Sequence, residues 1–152
     1  MRLENLPPDV RASYERLALP EFKDVPWVAP PPLAQARVAL VSTAGLHRAG
    51  DRPFDGGAVD YRIIPRDMDL NAIAMSHSSV NFDRSGFQRD VQVVFPLGHL
   101  RELSARGEIG SVAAWHYSFM GATDPVHLVQ SAREMARLLR ADGVTAAVLV
   151  PV

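Results

Sequence analysis

The C-terminal quarter of the chain leaves little choice of fold. Asp124-Pro125 is a helix start, with Asp at the N-cap position and Pro at the first helical position, where its missing N–H costs nothing. Leu128, Ala132, Met135 and Leu139 then recur at helical spacing, while Arg133, Arg137 and Arg140 fall on the other face near the negative end of the helix dipole. Asp142-Gly143 closes this helix, predicted over residues 125–140, and residues 144–150 follow as an apolar strand. Residues 111–118, SVAAWHYS, supply a strand before it. Strand, helix and strand at this spacing form a right-handed parallel crossover. Residues 37–41, RVALV, have the uninterrupted apolar pattern of a strand buried on both faces. The expected fold is therefore α/β, a three-layer, mostly parallel sheet with flanking helices of the flavodoxin-like kind. A last strand with no turn or helix after it suggests a fold incomplete at its C-terminus.

The remaining segments are shorter. Pro7-Pro8-Asp9 starts a helix predicted over 7–19, with Val10, Tyr14 and Leu17 on one side. Pro20, Pro26 and Pro30 to Pro32 make a stiff connector, with Phe22 and Trp27 as its anchors on the domain. Gly50, Pro53, Gly56 and Gly57 break residues 48–60 into an irregular loop. A short strand is predicted at 61–64, mostly loop at 66–89, and a helix at 97–106 between Pro96 and Gly107. The chain divides into an N-terminal helix and connector, 1–32, and an α/β domain, 33–152, read as the first part of a longer one.

Charge narrows the function. Sixteen Lys+Arg are dispersed among seventeen Asp+Glu, so no basic stripe exists to neutralise a nucleic-acid backbone. The longest apolar stretch falls far short of the roughly 20 residues of a membrane span, and the N-terminus lacks the apolar core of a signal peptide. A cytoplasmic protein that engages neither nucleic acid nor membrane is expected. With no cysteine, the chain has no disulfide, no Cys-ligated metal and no thiol nucleophile of its own.

Ligands of open parallel sheets lie beyond the carboxyl ends of the strands. Those ends are residues 42–47, 117–121 and 151–152. His47 directly follows a buried strand and is the best-placed of five histidines. His116, inside a strand, reads as structural; His99 and His127 lie in helix first turns and read as exposed. Ser76, His77, Asn81, Asp83, Arg84 and Asp90 concentrate polar and titratable groups in one loop-like segment, a candidate site rim in which histidine moves a proton and a carboxylate orients it. A solvated loop has the same composition. No histidine pair has metal-ligand spacing, and no GxSxG, Walker A or GxGxxG motif occurs.

The strings ARVALVSTAGLHRAGDRPFD, DYRIIP, SHSSVNFDRSGFQRD, VVFPLGHLRELSARGEIGSVAAWHYSFMG and ADGVTAAVLVPV resemble the selenoprotein B family of glycine, sarcosine, betaine and D-proline reductases, from about Leu33 to Val152. Gln92 stands where that family usually has Asn, and Gly98-His99 replaces the more usual acidic-Arg pair before Leu100.

The resemblance implies an oxidoreductase subunit that cleaves a C–N bond reductively. It implies a selenocysteine, or a cysteine in its place, immediately after Val152; selenocysteine is encoded by UGA, which an unrecoded reading frame takes as a stop. A pyruvoyl group on a partner subunit would condense with the small-molecule amine substrate and act as electron sink, and a dithiol or thioredoxin-type donor would restore the chalcogen. No cofactor is then expected to bind this chain, which alone would be inactive. Its supporting groups would be His47 and His77 as proton donors or acceptors, Ser76 beside them, Asp83 and Asp90 as orienters, and Tyr117 and Ser118 as hydrogen-bond donors. The alternatives are a non-catalytic small-molecule-binding or assembly domain of the same fold, and hydrolase or transferase use of the Ser76-His77 loop.

Overall fold

A computed structural model describes residues 3–17, 28–79 and 83–152. Phe22, Trp27 and Asn81 lie outside the described residues. In chain order the elements are α1 (Pro8–Glu15), β1 (Arg37–Ser42), β2 (Leu46–Arg48), β3 (Tyr61–Pro65), β4 (Ile73–Met75), α2 (Ser85–Arg89), α3 (Leu97–Ala105), β5 (Ser111–Val112), β6 (Trp115–Phe119), α4 (Val129–Ala141) and β7 (Ala146–Val150), joined by turns and short 3-10 segments.

The apolar run of β1 occupies the centre of the main sheet, and every residue from Val38 to Ser42 is buried. β7 pairs with one edge of β1 in parallel, from Val38 opposite Ala146 to Ser42 opposite Val150. β5 and β6 share the other edge, also in parallel, with Val38 opposite Val112 and Val41 opposite Tyr117. β3 adds an antiparallel strand outside β6. β2 and β4 form a separate antiparallel pair, with His47 opposite Ala74. The expected parallel arrangement of the three main strands is present.

Residues 111–118 were expected as one strand and form two. Between them Asp142 Oδ2 accepts the backbone N–H of Ala114 at 2.7 Å and of Trp115 at 3.3 Å, and His116 Nδ1 accepts the Leu40 N–H at 2.9 Å. Side chains thus satisfy backbone donors where the regular ladder lapses. Asp142 also binds Arg37 at 2.5 Å, while Arg37 Nε donates to the Asp142 carbonyl at 2.6 Å. The end of α4 is thereby stapled to the start of β1 and to the β5–β6 break.

Alternation along β6 divides the core. Ser118 and His116 are buried, and the His116 ring meets Phe95 edge-on at 5.9 Å, beside the larger apolar cluster of Val38, Leu40, Phe95, Leu97, Leu100 and Ile109. Tyr117 and Phe119 join Val41 in a second cluster, covered by Leu128, Met135 and Leu139 of the expected stripe. Each fully buried large apolar side chain contributes about 1.5–3 kcal/mol. The predicted 125–140 helix begins as a 3-10 turn, Pro125–Leu128, with the Asp124 carboxylate accepting the Val126 N–H at 3.0 Å.

Two expectations change. Helix α1 is regular only to Glu15, and Tyr14 and Leu17 on its apolar side are 43% and 47% exposed. Residues 66–89 were expected mostly as loop and contain β4 and α2, each too short to give a periodic signal. No helix of the described residues is long and apolar enough to cross a membrane.

Candidate functional site

The carboxyl ends of β1, β6 and β7 meet at one place. The Thr43 N–H donates to the Val150 carbonyl at 3.1 Å, and the Gly121 N–H donates to the Thr43 carbonyl at 2.8 Å. Thr43 Oγ1 accepts the Val152 N–H at 2.8 Å and lies 3.3 Å from the Val152 carbonyl oxygen, to which its own hydrogen can donate. Beyond Thr43 the chain turns at Gly45, whose φ of +66° suits glycine and whose α-carbon passes close to the His77 backbone, leaving 3.1 Å between a Cβ there and the His77 nitrogen.

That turn carries His47 into β2 and against β4, after which come Ser76 and His77. Ser76 Oγ lies 2.6 Å from His47 Nε2, and His47 Nδ1 lies 2.9 Å from the Arg48 carbonyl. A carbonyl only accepts, so Nδ1 bears the proton, Nε2 accepts, and the Ser76 hydroxyl donates to it. The Ser76 N–H is held by the Gly45 carbonyl at 2.9 Å.

His77 is buried beside this pair. Its Nδ1 accepts the Ser79 N–H at 3.2 Å, and its carbonyl accepts from Arg84 at 2.5 Å; the same guanidinium reaches the Ser79 carbonyl at 3.1 Å. Burial lowers the His77 pKa from its ordinary value, and the positive charge of Arg84 lowers it further, while the nearby Val152 backbone pushes the other way. At neutral pH the ring is uncharged and able to take a proton.

The other expected residues sit elsewhere. The Asp83 carboxylate accepts the Ser85 N–H at 2.9 Å, which holds its pKa below the ordinary range, and Asp90 accepts the Gln92 N–H at 2.9 Å. Both are exposed and cap local turns; among the described residues neither bonds to His47 or His77. Ser118 Oγ accepts the Leu46 N–H at 2.8 Å, supporting the turn into β2 from beneath. Tyr117 is buried in the smaller core cluster with its ring edge-on to Tyr61 at 5.7 Å, and burial raises its pKa. His116 is structural, its pKa pushed down to about 4, chiefly by burial and then by Arg101. His99 and His127 are exposed.

The candidate site thus contracts to His47, Ser76, His77 and Arg84, and gains Thr43 and Gly121. Thr43 and Gly121 sit where the strand-end rule points, one residue past β1 and two past β6. Arg84 belongs to the polar segment read as a site rim, but its fold-back to the His77 and Ser79 carbonyls left no signal in the sequence. Among the described residues, no group of three or more His, Asp or Glu side chains is placed to hold a metal ion.

No solved structure matches the chain. It is 31% identical to the D-proline reductase subunit gamma of Acetoanaerobium sticklandii over 133 residues, covering 80% of this chain and 54% of that protein. It is 29% identical to the glycine reductase complex component B subunit gamma of Carboxydothermus hydrogenoformans over 142 residues, covering 88% of this chain and 32% of that protein. The chain therefore spans about half the length of one relative and a third of the other. The family model of glycine/sarcosine/betaine reductase selenoprotein B matches residues 11–152, nearly the whole chain. With the strand order and the sheet-edge histidines in place, this match makes the chain a member of the glycine/sarcosine/betaine reductase selenoprotein B family.

Proposed function

We propose that this chain is part of a reductase subunit that cleaves a C–N bond in an amino acid or amino-acid derivative of the glycine, sarcosine, betaine or D-proline type. The observation that carries the reading is His77, a buried and uncharged imidazole on the sheet edge beside the Val152 backbone. The selenol or thiol that the reaction needs would come from the residue following Val152, and the sheet would be the first part of a three-layer, flavodoxin-like domain.

The overall change is balanced by a dithiol: C–N becomes C–H and N–H, and two thiols become a disulfide. A selenol or thiol placed at the edge would supply the two-electron nucleophile, and a pyruvoyl group on a partner subunit would supply the electron sink. The residues of this chain manage protons and charge. His77 takes a proton from the chalcogen and returns it to the departing amine, a role suited to a neutral base near pH 7. Arg84, at the rim, favours the ionised chalcogen electrostatically. His47 and Ser76 hold each other and fix the entry to His77 through Gly45.

The test uses the protein extended past Val152 with Cys in the first added position, together with its partner subunit and a dithiol. His77→Ala should lower turnover about 10²-fold or more, the usual size of a general acid–base contribution, while His127→Ala, on an exposed turn, leaves it unchanged. Equal turnover of the two variants at matched folding removes His77 from the site.

A further inference from the structure

Thr43 and Gly121 do more than end their strands. The Thr43 hydroxyl takes the Val152 N–H at 2.8 Å and sits 3.3 Å from the same residue's carbonyl oxygen, so one side chain addresses both polar groups of Val152. The Thr43 backbone meanwhile binds Val150 through its N–H and Gly121 through its carbonyl. Gly121 leaves the room this needs. A Cβ there would lie 2.6 Å from the Val152 carbonyl oxygen and 2.7 Å from the Thr43 carbonyl oxygen, both backbone atoms that no rotamer change can move aside.

We infer that Thr43 and Gly121 are positioning residues that lock the Val152 peptide, and so aim the chain leaving β7 at His77. The inference rests on the reductase reading for its catalytic meaning, because that reading places the nucleophile one residue further on. The backbone lock itself is independent of it. A hydroxyl is required at position 43: valine has the same shape but neither accepts from the Val152 amide nor donates to its carbonyl. Serine retains both abilities. At position 121 any side chain must displace Val152, Thr43 or both.

The lock is read first in the 152-residue chain, by amide hydrogen exchange of Val152 and by NMR titration of the His77 ring. Thr43→Val should speed exchange at Val152 about fivefold or more, as expected when a hydrogen bond worth about 1 kcal/mol opens, while the Leu40 amide keeps its protection. It should also shift the His77 midpoint down, because the Val152 backbone no longer favours the charged ring. Gly121→Ala should loosen Val152 similarly, and Thr43→Ser should behave like the parent. Unchanged exchange at Val152 in Thr43→Val overturns the lock.

The catalytic meaning is read in the extended, partner-bound protein. Thr43→Val should lower kcat at unchanged KM for the amine, with Thr43→Ser restoring most of it. Faster exchange at Val152 with full turnover refutes the positioning role while leaving the reductase reading intact. An inactive but folded parent refutes the reductase reading and leaves the lock to be judged on exchange alone.

Discussion

Asp142 offers the sharpest test of how this sheet is held. Its carboxylate, only 12% exposed, accepts from Arg37 and from the Ala114 and Trp115 amides, which otherwise have no ladder partner at the β5–β6 break. Asp142→Ala removes the charge-assisted bond to Arg37 and strands both amides. A hydrogen bond to a charged group contributes about 1.5–3 kcal/mol. The Ala114 amide is partly buried and the Trp115 amide exposed, so the latter regains water and adds little. The main-chain bond from Arg37 Nε to the Asp142 carbonyl survives. The expected loss is about 3 kcal/mol, which at a urea slope of about 2 kcal/mol/M moves the unfolding midpoint down by about 1.5 M. Asp142→Asn, which still accepts one amide, should fall between. Urea titration followed by circular dichroism reads the shift; a midpoint within about 0.3 M of the parent in Asp142→Ala would show that the staple does not hold the sheet.

His116 should make stability fall with acid. Its folded pKa of about 4 lies below the ordinary value of 6.5, so the stabilisation is complete above pH 6.5 and is lost as pH falls toward 4. Between pH 7 and 4.5 the parent should lose about 2–3 kcal/mol from this group, the lowered pKa of His77 adding loss of the same sign; a His116→Gln variant with an equally steep acid slope would remove His116 as its source. Gln92 and Gly98 should behave as a pair, because Gln92 Oε1 accepts the His99 N–H at 3.0 Å and would lie 2.2 Å from a Cβ at Gly98. Gly98→Ala should therefore stabilise by up to about 1 kcal/mol in a Gln92→Ala background and destabilise in the parent, and additive effects in urea titrations would dissolve the pair. β7 is an apolar strand with one unpaired edge among the described residues, and its Leu149 and Val148 are 69% and 39% exposed. The 152-residue chain should self-associate as its concentration rises, with Leu149→Lys shifting it toward monomer in light scattering; a parent that stays monomeric at high concentration argues against an uncovered edge.

The main sheet was legible because its signals are local. RVALV, the 128–139 stripe and the apolar tail each carry their own pattern, and the three strands and α4 are found where that pattern puts them. The β5–β6 break was not, since it depends on Asp142 capturing amides 27 and 28 residues away. The family departures at Gln92 and Gly98 are separate oddities in the sequence and one contact in space. At the site, sequence order set Ser76 beside His77, whereas the fold gives Ser76 to His47, 29 residues upstream, and leaves His77 facing Val152. Asp83 and Asp90 resemble orienters by composition and are turn caps by geometry, a difference decided by backbone direction rather than residue type. Helix α1 has the apolar spacing of a packed helix, yet none of its residues is buried.

The proposed function has this sheet edge serve reductive C–N cleavage once a chalcogen follows Val152. Its most direct test is the dithiol-dependent cleavage of D-proline, glycine, sarcosine and betaine by two proteins assayed side by side with the partner subunit: the 152-residue chain, and the chain extended past Val152 with Cys in the first added position. Cleavage of at least one substrate by the extended protein and none by the shorter chain is the predicted result. Cleavage by the 152-residue chain itself, or none by a folded and partner-bound extended protein, would contradict it.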